Sequence, residues 1–334
     1  MIGYVVRRLL FLVLVLFGMS LVTFVVSHAI PADPARLLAG LEVTQAQVDS
    51  VRREYGLDRP LAEQYVHYLG GLLRGDLGKS LSTRRPVRED LEKFFPATLE
   101  LGLAATGIAL VVGVPFGVFA AVRHGKWVDH GTRIAALAGA ALPVFWSGLM
   151  LQLIFYRDLG WLPAGGRLPQ GQLPPAAVTG LYTVDALLAG QWALVWVSAR
   201  HLAMPALALS GVMLAGLARM VRSSLLDVLR EDYIRTARAK GVAERLVVLR
   251  HAMRNALIPV LTVFGLQFGH LLGGAILTET VFFWPGVGAY AVRAVTSVDF
   301  PAIMGAAMLL AAIYVVVNLV VDLGYSVVDP RIRG

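Results

Sequence analysis

Six apolar stretches of roughly 20 residues or more recur along the chain, at 9–30, 97–122, 134–156, 201–221, 256–278 and 302–328. A soluble domain rarely carries several runs of that length. Each is long enough to close its own backbone hydrogen bonds as a helix where no water is available to do so. The composition agrees, with 57% hydrophobic and only 16% charged residues among 334. The expected class is an all-α polytopic membrane protein with six transmembrane helices. The first stretch follows MIGYVVRR and ends near SHAIPAD, the outline of a cleavable signal. Its apolar core exceeds the roughly 7–15 residues of such signals and further spans follow, so it is expected to be retained. Without cysteine, disulfides and thiolate metal sites are excluded.

Lysine and arginine set the expected orientation. With the N-terminus cytoplasmic, the segments at Arg7 and Arg8, 123–133, 222–254 and 329–334 lie inside, and they hold 15 basic and 6 acidic residues. The three opposite loops, 31–96, 157–200 and 279–300, hold 14 of each sign. The formal net charge of +8 is therefore one-sided, as retained cations would place it. These cations flank spans and no basic groove with interleaved aromatics occurs, so a nucleic-acid partner is not expected. The loop 31–96 carries apolar residues at helical spacing, with turn signals at Gly56, Pro60 and Gly75, and reads as a small helical cap between the first two spans. The stretch GWLPAGGRLPQGQLPPAAVTG (160–180) of the second outer loop is rich in Pro and Gly and reads as irregular.

The segment LREDYIRTARAKGVAERLVVLRHAMRNALIPV is a basic island between two spans, with 8 basic and 4 acidic residues over 222–254. That charge keeps it out of the bilayer core. Its composition predicts a short helix beginning near Glu231 and Asp232, closed by cations and stopped at Gly241. A second helix is expected from Val242 toward the next span, kinked at Pro259. Ile234, Ala237 and Gly241 share a face, and such small side chains would admit another surface close to the backbone. Two readings stay open on pattern alone: an amphipathic loop on anionic headgroups, or a docking element for a cytoplasmic partner.

DYIRTARAKG, HAMRNALIPV, GAILTETVFFWPGVG and the terminal VDPRIR together resemble the B-type permease subunit of peptide and nickel ABC importers. The opening RRLLFLVLVLFGMSLVTFVVSHAIPADP, GLDRPLAEQYVHYL, GDLGKSL, FPATLELGLAA and LPVFWSGLML fit the same family, so the likeness runs from end to end. The GRL and DALL pieces of the second outer loop lean toward the dipeptide branch. The resemblance implies a type I importer permease fold in a bacterial inner membrane, with both termini cytoplasmic. It divides the chain into an N-terminal spanning helix (1–30), an outer loop region (31–96), a permease domain (97–328) with a coupling loop at 222–255, and a tail (329–334). It makes the island the coupling loop for an ATPase subunit, with Asp232, Tyr233, Arg235, Ala237, Arg238, Lys240 and Gly241 as coupling residues. Against the general Glu-Ala-Ala-x-x-x-Gly consensus of such loops, only Ala237 and Gly241 hold their places, with Arg235 and Thr236 at the first two positions. The implied partners are a second related permease subunit, two ATPase subunits that bind ATP and Mg, and a periplasmic or lipid-anchored substrate-binding protein, all in a lipid membrane.

No cofactor is expected in this chain. The string RGDLGKS ends like a phosphate-binding loop but has Leu73 where the leading glycine belongs, so ATP hydrolysis by this chain is not expected. A carboxylate at membrane depth is costly unless it faces water or a partner, and this makes Glu279 a candidate for the pathway or its gate, together with Trp284, Pro285, Gly286 and Gly288. Phe282, Phe283 and Trp284 read as an interfacial aromatic belt. Gln267 and His270 lie in the same span, and His270 reads as an interhelical hydrogen-bonding group. Asn318 and Asp322 lie one turn apart, and Asp322 is expected to clamp Arg219 or Arg222. The seven histidines form no ligand pattern. Dipeptides or short oligopeptides are the first expectation for substrate, with nickel, glutathione or another small solute as alternatives. A secondary transporter would show interrupted helices in two repeated halves, which the sequence lacks, and no intramembrane protease motif occurs.

Overall fold

The computed structural model describes residues 2–29, 36, 44–54, 56 and 58–328. Among them helix is the only extended regular structure, and strand pairing is confined to an isolated bridge between Lys79 and Pro86. In chain order the helices are α1 (Ile2–Ala29), α2 (Gln45–Glu54), α3 (Leu61–Leu73), α4 (Val87–Val122), α5 (Trp127–Ala141), α6 (Val144–Leu151), α7 (Tyr182–Leu188), α8 (Trp192–Val228), α9 (Asp232–Ala239), α10 (Glu244–Leu246), α11 (Met253–Val281), α12 (Val287–Thr296) and α13 (Phe300–Val328). π-helical turns follow α6 at Gln152–Asp158 and precede α11 at Val247–Ala252.

Val87–Val122, Trp192–Val228 and Phe300–Val320 are long and apolar enough to cross a membrane. The stretch expected to span as one helix over 134–156 is broken instead. Asp129–Gly139 and Val144–Asp158 meet at 103°. Proline disfavours helical geometry in the residue before it, and Leu142, just ahead of Pro143, is extended at φ −80° and ψ 127°. Within α1 the described apolar helix is Leu10–Val26, and α11 runs for 29 residues with Pro259 inside it and no interruption there.

Two compact units share the chain. The first holds residues 1–96 and 286–315. Its core sets Val87 and Leu91 against Val287, Tyr290, Ala294, Ala302 and Ala306. Gly305 lets α13 approach closely, since a Cβ there would lie 2.5 Å from a Val87 methyl. Helices α2 and α3 form within the stretch 31–96, where helical spacing was read, and Gly56 and Gly75 turn the chain with φ of 63° and 76°. Phe24 of α1 packs on Tyr65 and Tyr68 of α3. Asp299 then ties the segment after α3 to the start of α13: its carboxylate accepts from Ser80 Oγ at 2.6 Å, Ser82 Oγ at 2.8 Å and Ser82 N at 3.0 Å.

The second unit holds residues 97–285 and 316–334. Leu101, Ala105 and Ala109 of α4, Leu209, Met213 and Leu217 of α8, and Leu271 and Ala275 of α11 form its core. Gly113 and Gly117, four residues apart on α4, bring that helix against α8. A Cβ on Gly117 would lie 2.6 Å from the Ala218 carbonyl oxygen and 2.7 Å from Val221 Cβ. Small residues at that spacing are how helices pack closely inside a bilayer. The Gln267 amide lies against Gly216 of α8 and fills the space a Cβ there would take. The side chains of His270 and Asp322 lie outside the described set.

Candidate functional sites at the two ends of one helix

α11 begins beside the basic island and ends in a buried polar cluster, about 43 Å away at 1.5 Å per residue. At the island end the sequence expectation holds for α9, which starts at Asp232 and ends before Gly241. Gly241 sits at φ +76°, its N–H donates to Arg238 O, and Val242 N–H donates to Ala237 O. That six-to-one bond is the Schellman ending, whose left-handed residue favours glycine. The stretch expected as one second helix is three pieces: α10, the π-helical turn and α11.

The small-residue face of α9 is not presented to a visitor. Ile234 at 0% and Ala237 at 8% exposure are packed against Leu225, Val247, Val248 and Ala252. A short amphipathic helix buries its apolar stripe in whatever apolar surface is nearest, and here the same chain supplies it. Asp232, Tyr233, Arg235, Arg238, Lys240 and Gly241 remain exposed, so the outward surface is charged. Arg238 makes a two-point pair with Glu244 (Nη2 to Oε1 2.7 Å, Nε to Oε2 3.0 Å), and this bond lowers the Glu244 pKa below its ordinary value. Asn255 of α11 donates to the Tyr233 hydroxyl at 2.8 Å. At the root of the island Arg222 pairs with Asp129, and Ser224 Oγ donates to Ala256 O at 2.8 Å, while the expected clamp by Asp322 lies outside the described side chains. The island is thereby tied to α8, α11 and the first turn of α5.

The far end of α11 is built around three residues at the start of the unit's first helix. Trp284 Nε1 donates to Ala97 O at 2.8 Å, Thr98 Oγ1 donates to Glu279 Oε1 at 2.6 Å, and Arg167 Nη2 pairs with Glu100 Oε2 at 2.5 Å. The Thr183 N–H donates to Glu100 Oε1 at 2.8 Å, and Arg167 Nη2 also donates to Gly180 O at 2.8 Å. The Arg167 guanidinium lies 3.4 Å over the Tyr182 ring and 5.7 Å from that of Trp284. Glu279 is fully buried, so its carboxylate meets protein groups and not an open channel within this chain. The aromatic belt is overturned for Phe282 and Trp284, which are core residues, while Phe283 at φ 50° is 81% exposed. Trp284 is held inside because its indole N–H finds a carbonyl partner there. Pro285 and Gly286 form the break after α11, with Gly286 extended as the residue before α12, and Gly288 is buried in α12.

The segment bearing Arg167 is a strap without helix from 159 to 181. Gly166 N–H donates to Phe282 O at 2.8 Å, and Gln152 Nε2 donates to Ala164 O and Val281 O. His201 Nδ1 lies 2.9 Å from Gly165 O, and because a carbonyl only accepts, that nitrogen carries the proton. Gly165 has no room for a side chain, as its Cβ would meet Phe282 O at 2.1 Å. Asp185 closes the strap by accepting from the N–H groups of Val178, Thr179 and Gly180. Burial pushes the Asp185 pKa up, and those bonds with the Thr179 hydroxyl outweigh it, leaving the pKa lowered. Reading the sequence for sites missed Glu100, Arg167, Tyr182, His201 and Asp185. A carboxylate at the head of an apolar run was the signal available for Glu100. Among the described residues no cluster of His, Asp and Glu could hold a metal ion.

Helices long and apolar enough to cross a membrane define a membrane-embedded helical protein, and similarity to known proteins gives the class a family. Residues 113–334 match the family described as binding-protein-dependent transport system inner membrane component, and residues 1–102 match the N-terminal family of the same membrane components. The chain belongs to this family of ABC-type permeases, which work in the inner membrane with ATPase and substrate-binding partners. It is 51% identical to a probable D,D-dipeptide transport system permease protein of Escherichia coli over 97% of this chain and 95% of that one. It is 45% identical to a dipeptide transport system permease protein of Alkalihalophilus pseudofirmus over the full length of both. A glutathione transport system permease protein of Escherichia coli is 40% identical over 100% of this chain and 99% of its own.

Proposed function

We propose that this chain is one of two related permease subunits of a type I importer for dipeptides or short oligopeptides, driven by two ATPase subunits and fed by a periplasmic or lipid-anchored binding protein. Six spans with both termini cytoplasmic place the basic island beside the ATPases and the strap on the outer side. α9 is the coupling element. Its exposed Asp232, Tyr233, Arg235, Arg238, Lys240 and Gly241 meet an ATPase surface, while Ala237 roots the helix in its own subunit. Closure of the ATPases then moves α8 and α11 as bodies, and different contacts in the two states set direction. Glu279, Trp284, Pro285, Gly286 and Gly288 belong to the outer gate region at the far end of α11.

The observation that carries this reading is the attachment of one short charged helix to α8 and α11 together. A push on α9 reaches α8 through the packing of Ile234 and Ala237 on Leu225, and α11 through the Asn255–Tyr233 hydrogen bond. Peptide is favoured over glutathione by the higher identity to the dipeptide and D,D-dipeptide permeases. The reading is tested by reconstituting the chain with its partner chains in liposomes. Uptake of a labelled dipeptide that needs ATP, the binding protein and this permease supports it. Uptake by this chain alone overturns it.

A further inference from the structure

The Glu100–Arg167 pair is more than a brace. Both side chains are deeply buried, at 6% and 7% exposure, yet the pair uses the guanidinium poorly. Nη2 donates to both Glu100 and Gly180 O, and Nε is buried without a hydrogen-bond partner among the described residues. A guanidinium is a planar fork suited to two parallel bonds with a carboxylate, and a buried donor left unmade is a standing cost. Tyr182 and Trp284 fix its plane from the faces, leaving the edge as the direction for a further acceptor. Arg167 rides on a strap without helix, so the pair can part without unwinding any regular element.

Building on the peptide-importer reading, we propose that Glu100 and Arg167 form a recognition site for a zwitterionic peptide, and that their mutual ion pair is its resting occupant. In the loaded state the peptide's carboxylate takes the Arg167 fork, including Nε, and its ammonium takes the Glu100 carboxylate. Two residues of extended chain separate such termini by about 7 Å. The strap must therefore lift by several ångströms on loading and settle again once the peptide has passed. The exchange of one pair for two is the kind of differential contact by which a ligand shifts an equilibrium between states.

The test uses the reconstituted transporter and three probes: dialanine, N-acetyl-dialanine and dialanine amide. A brace alone makes Glu100→Gln and Arg167→Gln lower uptake of all three in proportion. Recognition makes them diverge. Relative to dialanine, Glu100→Gln should favour the acetylated probe about tenfold over wild type, and Arg167→Gln should favour the amide by a similar factor. Ratios unchanged in both variants overturn the proposal, whereas wild-type liposomes that take up no probe overturn the importer reading instead. Hydrogen exchange on the wild-type complex avoids variants that misfold. Saturating dialanine should speed exchange across 161–183 at least threefold while N-acetyl-dialanine amide does not, and equal exchange with the two overturns the site.

Discussion

Arg222 and Asp129 meet at two points, Nε to Oδ1 at 2.5 Å and Nη2 to Oδ2 at 2.8 Å, with the carboxylate almost wholly buried. Asp129 also accepts from Gly125 N–H at 3.1 Å. The basic island is thereby fixed at its root to the first turn of α5 and, through Gly125, to the turn that follows α4. A charge-assisted bidentate pair of this kind is among the stronger side-chain interactions. Replacing Asp129 with Asn should destabilise the purified protein by about 2–3 kcal/mol, because the guanidinium keeps its charge and loses its partner. Thermal unfolding in detergent measures it. The Asp129→Asn, Arg222→Gln double variant should lose less than the two single losses added together.

Gly241 is required by its backbone and not by its surroundings, for no atom lies within 4 Å of the position a Cβ would take. Gly241→Asn, which tolerates left-handed geometry, should keep ATP-driven uptake close to wild type. Gly241→Val should cost about 1–2 kcal/mol locally and uncouple ATP hydrolysis from uptake, while membrane insertion is retained. The ratio of ATP hydrolysed to solute moved is the readout.

Gly117 and Gly107 lie on the same helix and should behave oppositely. Gly117→Ala drives a methyl into Ala218 and Val221 and should destabilise by about 1–3 kcal/mol. Gly107 has open space at its Cβ, so Gly107→Ala should be neutral or stabilise by up to about 1 kcal/mol through helix propensity. Paired melting curves in one detergent decide between them.

Acid should release the Asp299 knot. Burial pushes the pKa of this carboxyl up, and the Ser80 and Ser82 hydroxyls with the Ser82 and Leu81 N–H groups push it down harder, so it lies below the ordinary value. A lowered folded pKa gives stability that is fully present above the unfolded value of about 4 and is lost as pH falls through the folded one. Wild type should exceed Asp299→Asn by about 2 kcal/mol at pH 7, and the gap should close as pH falls below about 4. Unfolding of both proteins across that range measures the gap.

The parts of the fold legible in the sequence were those written in local signals. Gly241 after a cation-closed helix marked the end of α9, and Gly56, Pro60 and Gly75 marked the bounds of α2 and α3. Pro143 could have warned of the break after α5, but the apolar run around it is continuous in composition. The partners of Arg167 were illegible, because Glu100 lies 67 residues away and no periodicity links a loop arginine to a distant helix. The face of α9 misled for a different reason. Ile234 and Ala237 at helical spacing announce an apolar stripe and say nothing of what covers it, and the cover proved to be Val247, Val248 and Leu225 of the same chain.

Force transfer through α9 is most directly tested by a single cysteine at Arg235, which is clean because the chain has no cysteine of its own. In membranes holding the whole transporter, this cysteine should crosslink to an ATPase subunit, with a yield that changes when a non-hydrolysable ATP analogue is bound. Labelling of the same cysteine in intact cells by a membrane-impermeant maleimide, with no crosslink to either ATPase chain, would contradict the account.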